Sequence, residues 1–81
     1  MARPMEHSKN VQLRIEFERE DDGRWIAAIP ELRGVMVYGA TQEDATRAVQ
    51  VLAFRVIADR IEANEMPDPF ETVSFVASAA A

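Results

Sequence analysis

The carboxylates are the commonest groups able to do chemistry, and nine of the fourteen fall into two runs: Glu16, Glu18, Glu20, Asp21 and Asp22, then Glu62, Glu65, Asp68 and Glu71. Paired acids hold magnesium or act as acid and base only where they converge on a cleft. The first run alternates along the polar side of a strand and ends in a turn, which is the pattern of a solvated face. His7 is the single imidazole and lies among polar residues with no cysteine near it, so it reads as a solvated side chain. Ser8, Ser74 and Ser78 have neither a G-x-S-x-G setting nor a histidine base in the folded region. Gly23, Gly34 and Gly39 are spaced for turns and do not open a helix as a phosphate loop does. Trp25 and Tyr38 could stack bases, but in so acidic a chain core or interface packing suits them better. No catalytic residue, cofactor site or metal site is expected.

The elements that must position these groups follow from period and punctuation. Val11, Leu13, Ile15 and Phe17 alternate with Gln12, Arg14, Glu16 and Glu18, the mark of a half-buried antiparallel strand. Asp21-Asp22-Gly23 offers the positive-φ position of a hairpin, and a second strand follows over about Arg24 to Ile29, apolar on both faces. Pro30 removes a ladder donor and ends it, Gly34 permits a bend, and Val35 to Tyr38 forms a third strand. Gly39 and Thr41 close that segment. Thr41 before Gln42-Glu43-Asp44 is a helix N-cap with acids in the first turn, close to a capping box but with Asp where Glu or Gln is usual. The helix should run from Gln42 to Glu65, where Pro67 and Pro69 end it. A last strand is expected over Glu71 to Ala77, with 1–9 a loose leader and 78–81 a frayed tail.

These elements predict one domain over 1–81, an α+β two-layer sandwich of order β-β-β-α-β. Two hairpins make an antiparallel meander, and a right-handed crossover through the helix lays the last strand parallel to the first, giving a mostly antiparallel sheet of order 3-2-1-4 with one face bare. Ala45, Ala48, Val49, Leu52 and Val56 form one helical stripe; Val51, Phe54, Ile57, Ala58 and Ile61 form another roughly opposite. A helix packed only on a sheet needs one. The second stripe is therefore a candidate interface with another copy or a partner, since a domain of 81 residues offers little else to cover it.

A net charge of −5 with no basic cluster argues against nucleic-acid and anionic-membrane partners, and favours a basic one. The absence of cysteine excludes disulfides and thiolate chemistry and fits a cytoplasmic address. No apolar run reaches the roughly 18 residues that span a bilayer.

Taken in order, Glu18 to Glu20, Asp22-Gly23-x-Trp25-x-Ala27-x-Ile29-Pro30-Glu31-Leu32-x-Gly34, then Gly39-x-Thr41-x-Glu43-Asp44-Ala45 and a long helix ending in Met66-Pro67-Asp68-Pro69 resemble the HicB-like antitoxin family. The resemblance covers about Leu13 to Phe75. Arg33 and Val35 depart from it, standing where members often carry Pro and Cys. It implies a partial ribonuclease-H-like fold without nuclease activity, and a HicA-like toxin, a small basic ribonuclease, as partner. The candidate surface for it is the acidic set Glu16, Glu18, Glu20, Asp21 and Asp22, with Gly23, Pro30, Gly34, Gly39 and Thr41 as structural turn and cap residues. Direct DNA binding is not expected, because the chain ends after the last strand where such antitoxins usually continue into a DNA-binding segment. A homodimer or higher homo-oligomer is expected. The alternative is an orphan oligomeric scaffold, or a small-ligand binding module, with no toxin partner.

Overall fold

The computed structural model describes residues 10–65 and 72–78. The leader with His7 and Ser8, the segment holding Pro67, Asp68, Pro69 and Glu71, and 79–81 lie outside them. Four strands, β1 (Asn10–Arg19), β2 (Trp25–Ala28), β3 (Met36–Gly39) and β4 (Thr72–Ala77), form one sheet of order β3-β2-β1-β4, and α1 (Gln42–Glu62) packs on one face. The β1–β2 and β2–β3 pairs are antiparallel and the β1–β4 pair is parallel, as strand order and handedness required. The bonding of β4 continues past its end, since Ser78 N–H donates to Ile15 O at 2.9 Å; that residue is tied down, not frayed.

Register sorts the side chains. Phe17 faces Ala27 and Ala27 faces Val37, Leu13 faces Phe75, and Val11 faces Val73, all on the helix side. Leu13, Ile15, Ala27 and Ile29 are essentially solvent-free there, against Ala45, Val49, Ala53 and Ile57 of α1. Leu32 and Val35, in the β2–β3 connection, plug one end of the same core. The expected core stripe is displaced. Ala48, Leu52 and Val56 are only half-buried, while Ala53 and Ile57 are sealed. The 100° step of the helix puts Val49, Ala53 and Ile57 on the line that looks straight into the sheet.

Turn chemistry explains the connections. After β1, Gly23 N–H donates to Glu20 O at 2.9 Å and Glu20 N–H to Arg24 O at 2.8 Å, with Gly23 at φ +91. That is a hairpin closed by a left-handed glycine bulge. Between β2 and β3, Leu32 N–H donates to Ile29 O, Val35 N–H to Leu32 O, and Ile29 N–H to Val35 O, so two turns nest within one closed loop; Gly34, at φ +82, sits in the second turn.

Thr41 accepts from Asp44 N–H at 3.0 Å, the forward half of a capping box. At the other end α1 stops at Glu62, earlier than the prolines suggested. Asn64 takes φ 60, its N–H donates to Ile61 O at 3.0 Å, and Glu65 N–H donates to Arg60 O at 2.7 Å. This is a Schellman stop with asparagine in the left-handed position, so a local cap ends the helix before any proline acts. Gly39 also departs from expectation. It is the last residue of β3, outside the positive-φ region, and its small size serves a contact with α1 and not a turn.

Candidate functional site

The sheet face turned away from α1 is built in rows. Across the strands, Glu18 stands beside Ile26 and Ile26 beside Tyr38; one step along, Glu16 stands beside Ala28 and Ala28 beside Met36. Each row begins with an acid on β1 and becomes apolar on β2 and β3. Ile26 is 9% exposed, whereas Met36 and Tyr38 are 55% and 47% exposed. The Arg24 guanidinium lies 4.5 Å from the centre of the Tyr38 ring, in range of a cation–π contact. The result is a flat mixed surface with an exposed aromatic, a thioether and carboxylates within one sheet.

Pro30 and Glu31 frame its end. Continuing the β1–β2 register places Pro30 across from Arg14, where no strand partner remains. The Glu31 carboxylate fills that place: one oxygen accepts from Arg14 N–H at 3.1 Å and the other from Arg14 Nε at 2.7 Å. Burial pushes the Glu31 carboxyl up, but the Arg14 hydrogen bonds outweigh it and hold the group below its usual value of 4.5. A lowered carboxylate contributes stability above its unfolded value and loses it as pH falls through the folded one. Glu31→Gln is therefore expected to lower the thermal midpoint by a few degrees at pH 7 and to flatten its decline below pH 4.5, read by thermal denaturation across pH.

Four of the five candidate acids meet at the β1–β2 hairpin, and Glu16 stands apart from them. Glu16 and Glu18 stand on the far face, with Arg14 Nη1 3.8 Å from Glu16. Asp22 turns back on its own hairpin, accepting from Arg24 N–H at 3.0 Å and pairing with Arg24 Nε at 2.8 Å. Those backbone and side-chain bonds lower its pKa. Glu20 and Asp21 line a shallow hollow at the hairpin with Glu18, Arg19 and Asp22. Among the described residues no group of three or more ligating side chains is placed to hold a metal ion. Trp25 is half-buried on the helix side, edge-on to Phe17 at 6.4 Å, with Arg19 5.7 Å from its ring centre, so its role is packing.

The candidate helical interface divides. Val51, Phe54 and Ile61 are 51%, 53% and 52% exposed and Ala58 is also exposed, whereas Ile57 is 4% exposed and belongs to the core. On the wheel Ile57 lies towards the sheet and its stripe-mates lie on the flank. Phe54 meets Phe75 edge-to-face at 5.5 Å, which joins that flank to β4. Met36 is the surface residue that period alone does not reveal. A four-residue strand is too short for alternation to tell one apolar face from two.

Fold and surfaces together define a small α+β domain with two exposed apolar areas, one beside carboxylates on the sheet and one on the helix flank. No helix of the described residues is long and apolar enough to cross a membrane. No family model, no curated protein and no solved structure matches the chain.

Proposed function

We propose that the chain is a HicB-like antitoxin-type module, not an enzyme, that binds and masks a small basic HicA-like ribonuclease toxin in the cytoplasm and self-associates through α1. The observation that carries this reading is the far sheet face, where Glu16 and Glu18 lie in register with Ala28, Ile26, Met36 and Tyr38. Such a surface suits a basic protein: carboxylates steer the encounter and choose the partner, and an exposed aromatic and a methionine supply the contact that holds it. The turn and cap signature from Asp22 to Ala45 supports the family reading because Gly23, Gly34 and Thr41 do the backbone work that its spacing implies, with Pro30-Glu31 closing the β1 ladder.

Co-expression with a small basic ribonuclease encoded beside it should restore growth and yield a co-purifying complex. Tyr38→Ala should weaken that complex by at least tenfold while leaving the fold intact, because the side chain is half-exposed. Glu18→Lys should slow association and reduce its salt dependence. Growth arrest that persists with both proteins soluble would refute the reading. A second reading, a small-ligand module or scaffold without a toxin, draws on the open hollow lined by Pro30, Glu31, Arg33, Arg60 and Glu65, whose mixed charges suit a polar ligand.

A further inference from the structure

The exposed flank of α1 has a spacing that its sheet contacts do not explain. Along α1, Arg47, Val51, Phe54, Ala58 and Ile61 are separated by alternating steps of four and three residues. That is the step pattern of a coiled-coil seam, apolar but for the arginine at one end. Every member is exposed, and the Arg47 side chain is 71% exposed. The seam ends with the helix: past the left-handed Asn64 the chain turns aside, and Glu65 lines the hollow of Pro30, Glu31, Arg33 and Arg60.

We propose that this seam is the contact between two copies of the chain, related by a twofold axis, with their α1 helices antiparallel and the axis crossing level with Val56. The proposal rests on the self-association reading above and names its geometry. In that register Val51 stands opposite Ile61 of the second copy and Phe54 opposite Ala58. Apolar meets apolar, and a large side chain meets a small one.

The same match occurs twice, as an isologous contact requires. An unrelated partner needs no such internal symmetry. Charge points to the same occupant. Copies with a net charge of −5 repel each other over most of their surface, yet the seam positions Val51, Phe54, Ala58 and Ile61 carry no acid. Phe75, against Phe54, extends the apolar area onto β4 without adding charge. Coverage by a second copy also removes three large exposed apolar side chains from water at once.

Because the chain has no cysteine, the register can be read by cross-linking. Val51→Cys combined with Ile61→Cys should form a covalent dimer on mild oxidation. Val51→Cys alone should not, since its two copies stand ten residues apart along the pair, about 15 Å, beyond disulfide reach. In sedimentation the unmodified chain should be a dimer. Ala58→Glu should raise its dissociation constant about tenfold or more by setting a carboxylate against Phe54 of the other copy on both sides of the axis. These positions are exposed, so circular dichroism should be unchanged throughout.

A dimer that ignores the Ala58 change and does not cross-link at 51 and 61 would overturn the seam while leaving self-association standing. A monomer at high micromolar concentration would overturn both. Neither result bears on toxin masking by the sheet face.

Discussion

Gly39→Ala is expected to destabilise the domain by about 3 kcal/mol, at the upper end of what one added methyl costs in a packed interior. A Cβ built there would stand 2.7 Å from Ala45 Cα and 3.0 Å from Ala45 Cβ. The cause is the connection. Only Ala40 and Thr41 separate the end of β3 from the start of α1, so the chain reverses into a capped helix within two residues. The first turn of α1 then falls back onto the last residue of β3, and Ala45 is fully buried against it. Since the nearest atoms belong to the Ala45 backbone, truncating that side chain cannot make room. Gly39→Ala with Ala45→Gly should therefore be no more stable than the single variant.

Gly34→Ala and Gly23→Ala give the contrast. Each meets nothing within 4 Å and is strained only by its positive φ. About 1–2 kcal/mol is expected at either site. Urea denaturation of the three single variants orders them, and a Gly39 variant no weaker than the other two would sink the steric account. Against a total of roughly 5–15 kcal/mol for a domain of ordinary stability, the Gly39 change alone removes a large share.

The architecture was legible in the chain because each of its determinants is local. The alternation of β1, the Asp22-Gly23 turn, Pro30 and the Thr41 cap each act within a few residues, and handedness then leaves one placement for β4. Three features were not legible, and each depends on contacts distant in sequence or on a local choice between competing stops. Gly39 reads as a turn residue until α1 is seen lying on it. Pro67 reads as the helix stop, yet Asn64 reaches the left-handed conformation first and closes the cap. Asp22 reads as a free member of the acidic patch, but the positive-φ hairpin folds it onto Arg24, although Glu18, Glu20 and Asp21 stay beside it around one hollow. Of the candidate binding surface, the carboxylates were visible by alternation. Its apolar half was not, because which face of β2 and β3 is free depends on where the helix lies.

The helix flank provides the sharper test, since Phe54 and Ile57 are neighbours in one apolar stripe of the sequence with opposite fates in the fold. Ile57→Asp should leave the chain largely unfolded at 25 °C. It removes a side chain that is 4% exposed, a loss of about 2–5 kcal/mol for truncation alone. It also puts a carboxylate into a core with no buried polar or charged partner among the described residues, and that group must then sit unpaired or take up a proton at further cost. Ile57→Ala carries only the first cost and should fold with a lowered midpoint. Phe54→Asp should fold. More than half of that ring already meets water, and its contact with Phe75 is worth about 0.5–1.5 kcal/mol. What Phe54→Asp should lose is association, because the new carboxylate lies in the middle of the uncharged seam. Far-ultraviolet circular dichroism with sedimentation separates the two effects: helical signal lost at Ile57, and signal kept with the dimer dissociated at Phe54. If both variants unfold, Phe54 belongs to the core; if both fold, the division of the stripe into a buried line and an exposed seam is wrong.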